Sequence, residues 1–125
     1  MGKVFFEGVY FSGKPASELL TESMKGASFF RFYENGTVLS VTTTATINQL
    51  KNWFNEEGDC DRGKFTINGN TISFQIVSKD PFGADIGTID YIGVIKNDTL
   101  IININGYEKK TEYLFSTWWQ KLYWV

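Results

Sequence analysis

The chain has no histidine. The side chain that most often serves as general base near neutral pH is therefore missing, and with it the usual triads and zinc sites. Carboxylates remain for proton or metal chemistry, and Glu56, Glu57, Asp59 and Asp61 crowd one stretch around Gly58. Oxygen ligands that close could hold calcium. An EF-hand loop, however, needs a third ligand before its glycine and a glutamate at its end. Here Arg62 precedes Gly63, and Gly69 stands where that glutamate belongs. The stretch reads as a solvated loop between a helix and a strand. Cys60 inside it is the single cysteine. No His or basic pair activates its thiol, and it has no partner for a disulfide or a CxxC centre. No catalytic residue, metal or cofactor is expected, and the chain is expected not to be an enzyme.

Composition narrows the rest. A chain of 125 residues, 42% hydrophobic and 17% aromatic, is one domain with enough apolar surface for a core. The formal charge of −2 is spread over interspersed acids and bases. Lys109-Lys110 is the only basic doublet, so no nucleic-acid footprint is present. No stretch approaches the ~20 apolar residues of a membrane helix. The opening MGKVFFEGVYF has no long apolar run and no small-residue cleavage site, so no signal peptide is expected. The compartment stays open.

Period-2 alternation between turn residues dominates the chain. Phe65 and Ile67 alternate with Lys64 and Thr66, Asn68-Gly69-Asn70 turns the chain, and Ile72, Phe74 and Ile76 alternate on the way back. Asn-Gly tolerates the positive φ of a tight hairpin. The same grammar joins Phe29–Tyr33 to Thr37–Thr43 through Glu34-Asn35-Gly36, and Gly87–Ile95 to Thr99–Asn105 through Lys96-Asn97-Asp98. Strands near Phe5–Ser12 and Lys109–Ser116 bring the expected number to eight. Turns this close favour an antiparallel meander, because a parallel crossover needs a longer connection. Two insertions interrupt it. Lys14–Lys25 contains Ala16–Leu20, a candidate helical turn. Thr46–Glu57 predicts a helix capped by Thr46, with Ile47, Leu50 and Phe54 on one face and Gly58 as its stop.

A flat eight-stranded meander would expose two edges and an apolar face, and closure removes both problems. The expected fold is an all-β, eight-stranded up-and-down barrel with one short helix near 46–57. The expected inward set is Phe30, Phe32, Leu39, Val41, Phe65, Ile67, Ile72, Phe74, Ile76, Leu100, Ile102, Ile104 and Phe115. Residues this bulky, with no alanine in mid-strand, predict a mostly filled interior with a modest cavity at one mouth. The runs Arg31–Val41, Gly63–Phe74, Gly93–Leu100 and Tyr113–Phe115 resemble the small bacterial lipocalin-like domains of the calycin type, over roughly residues 4–116. The lipocalin opening Gly-x-Trp stands here as Gly8-Val9-Tyr10. The Thr-Asp-Tyr loop motif is absent, and no arginine follows the final strand. The resemblance implies a barrel and a small apolar ligand, and it carries over no binding residue.

The binding candidates follow from this frame. Arg31 lies in Phe29–Tyr33, a strand apolar on both faces. If Phe30 and Phe32 point inward, Arg31 points out. The opposite parity puts its guanidinium in the lumen, where it needs an anionic partner or ligand. The pattern favours the outward reading. Tyr10, Tyr91 and Tyr113 could line a mouth with their hydroxyls, although strand tyrosines also serve as plain packing. Trp118, Trp119, Tyr123 and Trp124 form an aromatic tail over 117–125, which either folds back on the barrel or serves a partner. The first expectation is a non-enzymatic barrel binding a small apolar or amphipathic molecule, as a monomer or weak homodimer. The alternative is an interaction module with a filled barrel that works through the tail and outer surface. A connected lumen above ~300 Å³ would favour the first.

Overall fold

Tight turns set the fold. Gly69 takes φ 65° between Asn68 and Thr71, which face each other across the first hairpin. Asn97 takes φ 57° at the second, a left-handed conformation that asparagine tolerates better than most residues. The third turn, Glu34-Asn35-Gly36, has Gly36 at φ 93°. It is closed by Tyr33 N donating to Thr37 O at 2.8 Å and Thr37 N donating to Asn35 Oδ1 at 3.0 Å.

The structure, a computed structural model, describes residues 4–13, 27–45, 47–79, 82 and 84–117. Among them are β1 (Gly8–Gly13), β2 (Ala27–Phe32), β3 (Thr37–Thr43), α1 (Ile47–Trp53), β4 (Asp61–Asn68), β5 (Thr71–Lys79), β6 (Asp85–Lys96), β7 (Thr99–Ile104) and β8 (Thr111–Thr117). The eight described strands pair antiparallel in chain order, and β8 returns to β1 to close the barrel. This is the expected meander. Thr46, the segment Lys14–Lys25 with Ala16–Leu20, and the tail from Trp118 onward lie outside the described residues.

The three tight turns share one end of the barrel, and the chain ahead of β1 closes it. Val4 is buried in the core there, Phe5 N donates to Tyr10 Oη at 2.9 Å, and the Phe5 and Phe115 rings lie 5.0 Å apart. The longer connections, 14–26, 44–60, 80–84 and 105–110, all leave from the opposite end. That end is the mouth.

Cross-strand partners share a face, so register decides what is inside. Tyr10 faces Phe30, Phe32 faces Val38, Phe65 faces Phe74, and Leu100 faces Tyr113. With Ile72, Ile76, Ile95 and Ile102 they form the inner core. Gly63 also faces inward, and a Cβ there would collide with the Gln75 carbonyl, so the wall closes at that point only around a residue without a side chain.

Two expected inward residues are not inside. Leu39 and Val41 lie on the outer face, opposite Arg31 and Phe29, while Val38 takes the inner position. The cause is α1, which covers the outer wall of β1–β3. Leu50 and Phe54 are fully buried there against Val9, Ala27, Phe29 and Leu39. Each such side chain contributes ~1.5–3 kcal/mol by area. Ile104 has the expected inward register, opposite Tyr91, but lies at the rim and is 37% exposed.

The helix is shorter than Thr46–Glu57 predicts and stops at Trp53. Asn55 Oδ1 accepts from Glu57 N at 3.0 Å, a local turn that competes with a further helical hydrogen bond.

Candidate functional site: the mouth of the barrel

Aromatic rings fill the barrel below the mouth. Phe30 sits at the centre, with Tyr113 at 4.8 Å, Phe74 at 5.0 Å and Tyr91 at 5.3 Å between ring centroids. Phe74 and Tyr91 stack at 5.1 Å. Phe32 meets Tyr10, Phe65 and Phe74 edge-on, the geometry that matches ring edge to ring face. No ligand could pass deep between rings this close. The upper surface of this plug, Phe30 with Tyr91 and Tyr113, is the floor of the mouth.

Above the floor the inner face changes character. Ile76 is buried, whereas Ile89 opposite it and Ile104 opposite Tyr91 are each 37% exposed. On the other side the inward positions are polar. Ser28 Oγ and Thr42 Oγ1 lie 3.0 Å apart, Ser40 faces Asp61 across β3–β4, and Ser78 Oγ donates to Asp61 Oδ2 at 3.0 Å. The mouth is therefore half apolar and half hydroxyl-lined, over an aromatic floor.

The tyrosines respond to this setting. Burial pushes the Tyr113 hydroxyl up to about 12, and Tyr91 adds to the rise while Ser28 opposes it. Burial also raises Tyr91, with the Asp61 carboxylate adding to it. The Tyr113 hydroxyl thus lies near Ser28, and Tyr91 lies within electrostatic reach of Asp61. Tyr10 is likewise pushed up to about 12 by burial, opposed by the Phe5 amide and reinforced by Asp98 in the turn at the closed end. Of the four residues singled out from the sequence, the fold brings Tyr91 and Tyr113 together. Tyr10 points to the far end. Arg31 stands on the outer face, its Nη1 donating to Phe54 O at 2.7 Å and its guanidinium 4.7 Å above the Tyr33 ring. Trp118, Trp119, Tyr123 and Trp124 lie outside the described residues.

A pH dependence follows. Tyr10 and Tyr113 hold their protons in the folded state to about pH 12, against 10.0 for the ordinary group. Between those values the folded chain binds more protons than the unfolded one, so stability falls as pH rises. An absorbance titration at the phenolate band should show a late step above pH 11 that coincides with loss of the β-sheet circular-dichroism signal. Complete ionisation near pH 10 with the fold intact would contradict it.

The acidic stretch diverges. Glu56 accepts from Asn35 Nδ2 at 3.1 Å on the outside, while Asp61, the first residue of β4, turns to the inner face. Among the described residues no three His, Cys, Asp or Glu side chains gather as a metal site. Burial raises the Cys60 thiol, which donates toward Trp53 O at 3.9 Å. A shallow groove of about 360 Å³ lies on the outer face of β4–β6, between Lys64, Thr66, Gln75 and Asp90. It is no lumen, and its polar groups bond one another: Thr66 with Ser73 at 3.1 Å, Gln75 with Asp90 at 2.8 Å. Among the described residues no helix is long and apolar enough to cross a membrane.

Asp61 is the mouth residue that sequence reasoning passed over, by grouping it with the loop acids. Its parity was the available signal: Asp61, Gly63, Phe65 and Ile67 alternate along one face of β4. Comparison of the chain with protein-family models, with curated proteins and with solved structures finds no match in any of the three.

Proposed function

We propose that this protein is a non-enzymatic, lipocalin-like barrel of the calycin type, of bacterial kind, that binds one small amphipathic molecule at its mouth. The observation that carries the reading is the pair of inward isoleucines, Ile89 and Ile104, left 37% exposed over an aromatic floor. Their hydroxyl-lined counterpart across the mouth supplies the polar side. Apolar surface facing inward at an open rim favours a ligand that covers it. The filled interior sets the depth, so the ligand lies across the floor and does not thread the barrel. The absence of histidine supports a binder over a catalyst.

Octan-1-ol is a suitable first probe. Partial burial of its chain, at ~0.8 kcal/mol per CH₂, gives an expected Kd of about 0.1–1 mM. Titration followed by NMR should move the Ile89, Ile104, Tyr91 and Tyr113 side-chain signals in concert, and native mass spectrometry of freshly purified protein should show a bound small molecule. Shifts confined to the outer groove, or no shift at all with no bound mass, would instead favour an interaction module with a filled barrel.

A further inference from the structure

We propose that the polar end of the ligand is an organic ammonium group, held at Asp61; this inference rests on the mouth reading above. Following register around the barrel as far as the irregularity after Ser78, the inner positions of the described residues are apolar, hydroxyl-bearing or glycine, and Asp61 is the one charged side chain among them. Its own strand does not neutralise it. Arg62 points to the outer face and donates to the carbonyls of Glu56, Gly58 and Cys60, at 2.7, 2.6 and 3.3 Å. Lys64 is also outward, and its Nζ donates to Thr37 Oγ1 at 3.2 Å. Ser78 holds Oδ2 of Asp61, which fixes the carboxylate and leaves Oδ1 for a donor.

The surroundings select among donors. An ammonium carries several N–H groups, which suits a carboxylate beside Ser40 and Ser78, hydroxyls able to accept. Tyr91 is close enough to Asp61 for the two to interact electrostatically, so a cation held at the carboxylate sits beside the aromatic floor. The alkyl part of the amine then covers Ile89 and Ile104. A carboxylic acid of the same length is disfavoured, because its anion would sit beside a fixed negative charge with no arginine or lysine at those inner positions to receive it.

Three probes of equal chain length separate the possibilities: octylammonium, octan-1-ol and octanoate, titrated by calorimetry and NMR at low and at 0.5 M salt. Octylammonium should bind at least tenfold more tightly than octan-1-ol, octanoate more weakly than either, and high salt should narrow the gap. Asp61→Asn should abolish the ammonium preference and leave octan-1-ol binding unchanged, and Asp61→Ser provides a second variant should the amide perturb folding. Asp90→Asn, on the outer face, should change nothing. Equal binding of octylammonium and octan-1-ol overturns the ammonium assignment while the mouth reading stands. A preference that survives both Asp61 variants places the cation elsewhere and overturns the role of Asp61. Failure of all three probes to bind removes the mouth reading itself, and this inference with it.

Discussion

Replacing Phe74 by alanine should lower stability by about 3–5 kcal/mol, the usual cost of truncating a buried phenylalanine. Phe74 is 4% exposed and touches rings on three sides: Phe30 at 5.0 Å, Tyr91 at 5.1 Å and Phe32 at 5.6 Å. Phe30 and Phe32 reach across the barrel from β2, and Tyr91 is the cross-strand partner on β6, so they cannot collapse into the space without moving the walls. The cost should therefore fall in the upper part of the range. The same change removes support from Tyr91, so the mouth should loosen before the closed end does. Chemical denaturation gives the stability loss, and methyl or aromatic NMR line widths locate the loosening. A loss below ~1 kcal/mol would mean that the interior is not the filled aromatic core described above.

Phe74 was legible from the chain because β4 and β5 carry a clean two-residue period and an Asn-Gly turn of unambiguous geometry. Where only one wall face is apolar, alternation and parity give the same answer. β3 shows how that breaks down. In Thr37-Val38-Leu39-Ser40-Val41, both faces are apolar at the turn-proximal end, because α1 covers the outside of the wall. Leu39 and Val41 then make a regular alternation that belongs to the wrong face. Turn length held the missing information. A three-residue turn from Tyr33 to Thr37 pairs Phe32 with Val38, which forces Val38 inward once Phe32 is inward. Register overrides side-chain preference at such positions.

The site was less legible than the fold. Tyr91 and Tyr113 stand on β6 and β8, and only the registers of β6–β7 and β7–β8 bring them to one end. Tyr10 has the same chemistry and the same inward face, yet strand polarity sends its hydroxyl to the closed end. Residue type could not separate these cases; the direction of each strand did. Arg31 followed the outward parity, and what it touches outside depends on the turn after α1, which periodicity does not describe.

That turn gives the second large effect. Arg62→Ala should cost about 2–3 kcal/mol and should act first on residues 54–60. Arg62 Nη1, Nη2 and Nε donate to Glu56 O at 2.7 Å, Gly58 O at 2.6 Å and Cys60 O at 3.3 Å, so one planar guanidinium gathers the whole turn. Hydrogen bonds to a charged group contribute ~1.5–3 kcal/mol each when sheltered. Arg62 is only partly buried, and water can replace some of the lost donors, which brings the sum down to the stated range. Arg31 reinforces the arrangement from β2 through Phe54 O. Cations at the end of a helix also complement its negative dipole end, so both arginines favour stopping α1 where it stops. Lysine at position 62 keeps the charge but has a single nitrogen, which cannot span three carbonyls. Arg62→Lys should therefore recover less than half of the loss, and amide exchange in 54–60 should speed up in both variants while β5 and β6 stay protected. Octan-1-ol binding at the mouth should survive Arg62→Lys, because Arg62 and the turn it holds lie on the outer face while the mouth positions face inward. Full recovery by lysine would show that charge alone matters there, and unchanged exchange in 54–60 would show that the guanidinium does not hold the turn.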